Sequence, residues 1–323
     1  MNKKCVLLLS GGLDSVLAAK IMLEQGVEVE ALNFKSVFGC CKDDAFAAGR
    51  KLGINVTLIT KGDDYYKVIA NPKHGYGSSM NPCVDCRVFM FSKARHFMES
   101  VGASFIVSGE VMGQRPNSQL KHQLKMVEED SSLEGLLLRP LSAKLLPPTK
   151  PELAGIVDRE KLYGISGRSR KELIALAHHY GIDEIPQPST GCVLTDKNYG
   201  NRVKDLFQHQ AQYGTRDFQL LRIGRHFRLD EETKIIVGRN QLENEQLGKL
   251  VSNEETLLHP KNFTGPDIVL QGEFSEANKT RMLEYLQQYT KEIPDDAQVE
   301  FSTGQAHTTE ELYSLSPFTC SKK

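Results

Sequence analysis

The sequence lacks an excess of charge of either sign: 40 Lys and Arg stand against 41 Asp and Glu, a net charge of −1. A wholly basic nucleic-acid binder of the histone kind is thereby excluded, although a local basic face is not. It also lacks a long apolar run, for no stretch reaches the ~18 residues that a membrane helix needs. Lys3 and Lys4 precede Cys5-Val-Leu-Leu-Leu9 as in a signal peptide, but Ser10-Gly-Gly-Leu-Asp-Ser15 ends that stretch too early. A cytoplasmic protein with no membrane association is expected. Internal repeats and low-complexity tracts are missing too. The seven cysteines are an odd set in a chain of 323 residues, long enough for two domains with cores of their own. Reduced thiols, metal ligation or sulfur chemistry fit them better than a disulfide framework.

What is present begins with alternation. Short apolar runs (Cys5–Leu9, Val27–Phe34, Ile54–Thr60, Ser104–Ser108) alternate with helical patterns (Ser15–Gln25, Asp43–Leu52, Cys86–Ser100, Arg170–Tyr180), several of them stopped by glycine. This order predicts an α/β fold with a doubly wound parallel sheet and ligands at the carboxyl ends of its strands. Between Gly109 and Pro151 the pattern gives way to Gly-, Pro- and Ser-rich stretches, expected to be functional loops. Composition shifts again after Gln212, so the expected domains are 1–212 and 213–323. The second is read as a smaller α+β module with a helix at Glu276–Thr290 and a frayed tail from Ser316 to Lys323.

The stretch Ser10-Gly11-Gly12-Leu13-Asp14-Ser15 lies between a buried strand and a helix. Two glycines let the backbone turn tightly and offer its N–H groups to an anion, and the helix N-terminus adds its positive end. Ser10 and Ser15 can donate hydroxyl hydrogen bonds, and Asp14 can hold a magnesium ion on bound phosphates. The plainer reading is a Gly-rich βα turn in which Ser or Asp only caps the helix. The loop is neither a Walker loop nor a G-x-G-x-x-G dinucleotide turn.

Cys83-Val-Asp-Cys86 places two thiols three residues apart at a helix start, where their pKa should fall. A bare CxxC reads as a redox pair, half a zinc site or coincidence. Cys192 lies in Pro188-Ser-Thr-Gly-Cys-Val193, a distant loop; three thiolates leave zinc one ligand short, with His74 or a water as candidates to complete it. Cys40 and Cys41 follow the second strand and read equally as redox-active thiols or plain loop residues. Cys5 is expected to be a small buried hydrophobe, and Cys320 a bystander.

Ser10–Ser15 directly after the first strand resembles the pyrophosphatase loop of the PP-loop (N-type) ATP pyrophosphatases. That resemblance implies splitting of ATP to AMP and pyrophosphate, with adenine near Asn33 and Phe34 and a loop at Gly109 and Glu110 closing over the nucleotide. Cys83, Cys86 and Cys192 at the end of such a domain resemble the tRNA thiolation enzymes. In that group the three-cysteine pattern implies a [4Fe-4S] cluster with one open iron, favoured here over zinc; members with one cysteine in each place imply a persulfide and a partner thiol. Asn71-Pro-Lys-His-Gly-Tyr-Gly77, Gly109-Glu-Val-Met-Gly-Gln-Arg-Pro116, Leu138-Arg-Pro-Leu-Ser-Ala-Lys144, Gly167-Arg-Ser-Arg170, Ile223-Gly-Arg-His-Phe-Arg228 and Ile236-Val-Gly-Arg-Asn240 are similar to ThiI-like PP-loop proteins with an NFACT-type RNA-binding module. Pro188-Ser-Thr-Gly-Cys192 departs from the Ala-Gly-Gly-Cys expected there.

The resemblance implies a tRNA sulfurtransferase using ATP and magnesium, with Asp14, Cys83, Cys86 and Cys192 as catalytic residues. Uridine is the expected target, the sulfur donor is sulfide or a persulfide protein, and a homodimer is a possible active form. Two other readings stay open: an adenylating enzyme acting on a sulfur carrier or small molecule, and a non-catalytic RNA-binding or redox-sensing protein. Arg159, Lys161, Arg168, Arg170 and Lys171 cluster, and Arg222, Arg225, Arg228, Lys234 and Arg239 recur on alternating segments. Gln114, Arg115, Arg168, Arg170, Arg225, Arg228 and Arg239 are the candidate RNA contacts, against the plainer reading of solvated basic faces. The second module is acidic as a whole, so RNA contact is expected on one side only.

Overall fold

The computed structural model describes all residues except 40–43, 187–190, 305 and 312–323, and only the backbone of 307 and 309–311. Cys40, Cys41, Cys320, the Pro188-Ser-Thr190 departure and the tail from Ser316 therefore lie outside the described residues. The chain divides into two units, Met1–Gly200 and Asn201–Lys323.

The first unit runs β1 (Lys4–Leu8), α1 (Leu13–Glu24), β2 (Glu28–Lys35), α2 (Asp44–Leu52), β3 (Val56–Thr60), α3 (Asp63–Ala70), α4 (Cys83–Ser100), β4 (Phe105–Ser108), α5 (Lys121–Asp130), β5 (Leu137–Leu138), α6 (Lys150–Leu153) and α7 (Lys171–His179). A further helix, α8 (Lys197–His209), spans the division. All five strands are parallel in the order β3-β2-β1-β4-β5, the expected α/β arrangement. Strand β1 shows why: Cys5 and Leu7 point into a core with α1 and α7, while Val6 between them points into a second core with α4. Burial on both faces makes its apolar run continuous rather than alternating. Cys5 is fully buried, as a small hydrophobe should be. The chain winds outward from β1 to β3 and then returns to place β4 on the other side of β1. The switch point, where such sheets open a crevice, thus falls between β1 and β4.

Helices α3 and α5 occupy stretches not marked by the sequence pattern. In α5 only Leu124 and Val127 are buried, a stripe too narrow to stand out among its charged neighbours.

The second unit continues with α9 (Thr215–Leu220), β6 (Arg225–Arg228), β7 (Lys234–Val237), α10 (Gln241–Leu250), β8 (Thr256–Pro260), β9 (Ile268–Gln271), α11 (Glu276–Tyr289), β10 (Gln298–Thr303) and β11 (Ala306–Glu311). Its strands form an antiparallel sheet in the order β11-β10-β8-β9-β7-β6. Ile235 and Val237 of β7 pack with Met282, Leu283 and Leu286 of α11, and Ile236 packs with Leu220 and Leu247 on the opposite face. No helix among the described residues is long and apolar enough to cross a membrane.

Candidate functional site

Gly11 takes a positive φ of 78°, and a side chain there would run into the backbone of Asp44 and Ala45 at the start of α2. Gly12 is extended and caps α1; its carbonyl accepts the Ser15 and Val16 N–H groups at 3.1 Å, which leaves Leu13 and Asp14 as the first-turn residues whose N–H groups have no carbonyl partner within the helix. The Ser15 hydroxyl closes the turn, donating to the Gly12 carbonyl at 2.8 Å and accepting from the Ser10 N–H at 3.2 Å. On the far side of the switch point, a Cβ on Gly109 would lie 2.5 Å from the Asp14 carbonyl and 2.6 Å from the Ser15 N–H. Only glycine lets the end of β4 pack against the loop that closely.

A cavity of about 190 Å³ opens at these strand ends, lined by Ser10, Asp14, Asn33, Phe34, Arg87 and Glu110 among others. The structure thus brings Asn33, Phe34, Gly109 and Glu110 to the phosphate loop. Asn33 donates its side-chain amide to the Leu9 carbonyl at 2.8 Å, tying the end of β2 to β1. Glu110 is buried, with Arg139 Nε donating to it at 3.0 Å and Arg87 Nε 3.4 Å away. Gln119 is also buried in this wall, and its Oε1 has no partner.

Gln114 and Arg115, read from the sequence as RNA contacts, line this cavity, and with Arg168 and Arg170 they line a second opening over Ser10, Gly12 and Leu13. Gln114 Nε2 donates to Asp14 Oδ2 at 3.0 Å. Burial raises the Asp14 carboxyl above its usual range, and Gln114, Arg170 and Arg115 work against that rise. Arg170 also braces the backbone, donating to the Pro186 carbonyl at 2.9 Å. The setting of these side chains is that of an anion site built on a helix start.

The thiols meet beside it. Cys83 and Cys86 open α4, and the Asp85 carboxylate between them accepts the Lys73 and His74 N–H groups at 2.9 and 3.0 Å. Asn81 Nδ2 approaches Cys83 Sγ at 3.1 Å. Lys61, directly after β3, places Nζ 3.2 Å from Cys86 Sγ and 4.5 Å from the centre of the Tyr65 ring. Burial alone would push the Cys86 thiol up, but Lys61, the Tyr65 hydroxyl and Arg87 together hold it below the usual range. Cys192 lies near enough to feel charge on Cys83 and Cys86, and burial pushes its thiol up to about 11. Its position is fixed by Val193, whose N–H donates to the Phe38 carbonyl at 3.0 Å. All of these cysteines are free. His74, a candidate fourth zinc ligand, instead pairs its Nε2 with Asp130 at 2.7 Å. Among the described residues no three His, Cys, Asp or Glu side chains gather closely enough to hold a single ion. Lys61, Tyr65, Arg87 and Gln119 were not singled out by the sequence; the one signal was Lys61's place at a strand's carboxyl end.

The basic residues of the second unit have separate settings. Arg225 and Arg228 are three apart on β6, an odd spacing that sends them to opposite faces. Arg228 forms a two-pronged pair with Asp205 at 2.9 and 3.0 Å, and Lys234 joins the same carboxylate at 2.7 Å. Arg239 pairs with Glu243. Arg225 lies 4.5 Å from the centre of the Tyr289 ring.

Residues 1–144 match the family model described as thiamine biosynthesis protein (ThiI), and residues 224–322 match that described as NFACT protein RNA binding domain. The chain is thus similar to a ThiI-type domain over residues 1–144 and to an NFACT-R-type domain over residues 224–322. The tRNA-specific 2-thiouridylase MnmA of Acetivibrio thermocellus is 26% identical over 242 residues, covering 66% of this chain and 63% of the relative. That of Caldicellulosiruptor saccharolyticus is 26% identical over 230 residues, covering 63% and 59%. The chain thus spans less than two thirds of these relatives' own length. A solved 4-thiouridine synthetase–RNA complex with bound ATP aligns at 23% identity over 55% of this chain and 51% of that one, with a TM-score of 0.35. The phosphate loop, Gly109, Gln114 and both thiols of the CxxC all fall within the ThiI-type segment. Cys192 lies between the two matched segments.

Proposed function

We propose that this chain is an ATP-dependent tRNA sulfurtransferase. The observation that carries the reading is the adjacency of two chemistries on α4, where Arg87 lines the phosphate-loop cavity and Cys86, the residue before it, meets Lys61. In this reading the loop amides and Ser10, Arg115, Arg168 and Arg170 hold the triphosphate, and Asp14 would hold a magnesium ion, which when bound would offset the phosphate charge. The carbonyl oxygen of a uridine attacks the α-phosphorus and pyrophosphate leaves. Sulfur then attacks the activated carbon, the C–O bond breaks and AMP departs. The 2-thiouridylase relatives and the RNA-binding description of the second domain support tRNA as the acceptor.

Three free thiols with N–H and O–H donors about them form a soft, thiolate-stabilising donor set, which suits iron–sulfur ligation. Cys83, Cys86 and Cys192 would hold a [4Fe-4S] cluster, which when bound supplies an open iron for sulfur. A second reading is favoured by the unlike settings of two of these thiols: Cys86, whose thiol Lys61 helps hold below the usual range, takes the outer sulfur of a persulfide donor protein, which leaves as a thiol. Cys192 then gives up its proton and attacks Cys86 Sγ, hydrosulfide leaves to attack the activated carbon, and an external dithiol reduces the Cys86–Cys192 disulfide.

Anaerobic purification with iron, sulfide and zinc quantified, on the natural chain and on Cys192→Ala, separates the routes. About four irons per chain, lost in the variant, support the cluster. Metal-free protein after reconstitution leaves the persulfide route. Incubation with ATP, sulfide and tRNA, followed by nucleoside mass spectrometry, tests the reaction. AMP formed equally without tRNA would sink the tRNA reading in favour of a sulfur carrier or small-molecule acceptor.

A further inference from the structure

The NFACT-R-type domain contains a groove of about 1110 Å³ that the proposed chemistry does not use. Its walls come from the start of α10, the β8–β9 connection and the end of α11. The basic side chains facing it are Arg225, Arg239, His259 and Lys291, with Glu292 the acid at its rim. The two carboxylates behind it are already engaged: Asp267 accepts from His259 at 2.7 Å, and Glu243 accepts from Arg239 and from the Gly224 N–H. Among residues with described side chains, neither Arg225 nor Lys291 is ion-paired, so the groove is a local positive site in an acidic domain. The start of α10, capped by Asn240, faces it as well.

Two further features are those of a site for bases as well as phosphates. The Arg225 guanidinium carbon lies over the Tyr289 ring, 4.5 Å from its centre, an aromatic–guanidinium pair of the kind on which bases stack. Asn244, in the groove wall, keeps a buried Oδ1 with no partner while its Nδ2 donates to the Gly265 carbonyl at 3.1 Å. A buried acceptor left open costs free energy unless a ligand donates to it. Paired bases face one another inside a duplex and cannot enter such a recess, whereas an unpaired base can.

We infer that this groove binds an unpaired segment of RNA, with Arg225 and Lys291 on its phosphates and a base against the Arg225–Tyr289 stack. The inference rests on the tRNA reading above and names the surface that would hold the tRNA. The test is tRNA binding by the full chain in a salt titration, using an unmodified tRNA transcript, a single-stranded oligonucleotide and a duplex of equal length. Arg225→Gln and the exposed Lys291→Glu are each expected to weaken tRNA binding by about tenfold and to flatten its salt dependence by about one phosphate contact. Arg281→Gln, an exposed change on α11 outside the groove, should bind as the natural chain does. The single strand should compete better than the duplex.

Unchanged binding by both groove variants at an unchanged melting temperature would overturn the inference while leaving tRNA as substrate. Equal competition by the duplex would also overturn it. A natural chain that binds RNA through this groove yet forms no thiolated nucleoside would leave the groove standing and remove the proposed reaction. A natural chain that retains no RNA would remove both.

Discussion

Lys61 Nζ stands 3.2 Å from Cys86 Sγ, joining the residue after β3 to the first turn of α4. With the Tyr65 hydroxyl and Arg87 it holds the Cys86 thiol below its usual range against a burial that acts the other way. In reduced, metal-free protein at neutral pH, Cys86 should therefore be alkylated well before Cys192, whose thiol is pushed up to about 11. Lys61→Met removes the largest lowering influence, so the Cys86 profile should move to higher pH, with about tenfold less thiolate at a given pH per pKa unit gained. Peptide mass spectrometry after iodoacetamide treatment across pH 6–9 reads this directly; an unmoved Cys86 profile would refute the pairing.

Gly109→Ala should disable nucleotide binding without removing any polar side chain. The added methyl would meet the backbone of Asp14 and Ser15, which cannot rotate away as a side chain can. The expected cost is about 1–3 kcal/mol of stability, accompanied by loss of ATP–pyrophosphate exchange. Normal exchange in a folded variant would show that the two loops do not need this approach.

Arg139 is buried to 2% exposure and pairs with Glu110 and Glu128. Burial already raises the Glu128 carboxyl, and Arg139 is what opposes that rise. Arg139→Met leaves Glu128 without its cation and Glu110 with only the longer contact to Arg87, which should cost about 3–5 kcal/mol. Urea unfolding would show it; a loss within experimental error would mean that the acids become protonated at little cost.

Asp205 accepts from both Arg228 and Lys234. Burial alone would raise its carboxyl, but these partners hold it far below the usual carboxylate range. Its pairing therefore contributes stability above the unfolded carboxylate pKa of about 3.9, and that contribution is lost as pH falls below it. Thermal melts between pH 7 and pH 3 should show Asp205→Asn less stable than the natural chain at pH 7. The gap should narrow toward pH 3, and a constant gap would argue against the linkage.

Much of the nucleotide side was legible in the sequence because it is contiguous. A buried strand, a two-glycine turn and a helix start lie within Lys4–Glu24, so their chemistry can be read without knowing the fold. The CxxC is legible for the same reason. Lys61 was not, since its nearness to Cys86 depends on how α4 packs beside the end of β3. Gln114 and Arg115 show the converse. Their polar and basic character suggested a substrate face, yet the loop after β4 folds back to place them on Asp14 and the phosphate loop. On β6 the three-residue spacing of Arg225 and Arg228 was visible, but reading it as opposite faces needed the strand.

Phe38 gives the thiol site a history in time. Its carbonyl fixes Val193 beside Cys192, and its ring meets the edges or faces of Tyr65, Tyr66 and Tyr199 at 6.0–6.4 Å between centres. Cys83 and Cys86 leave the ribosome long before Cys192, so a nascent chain exposes two of the three thiols with no third beside them. The full set comes together only once the segment through Tyr199 has emerged and closed on Phe38. The three-thiol arrangement is therefore a property of the completed first unit, and no earlier stretch of the chain can form it.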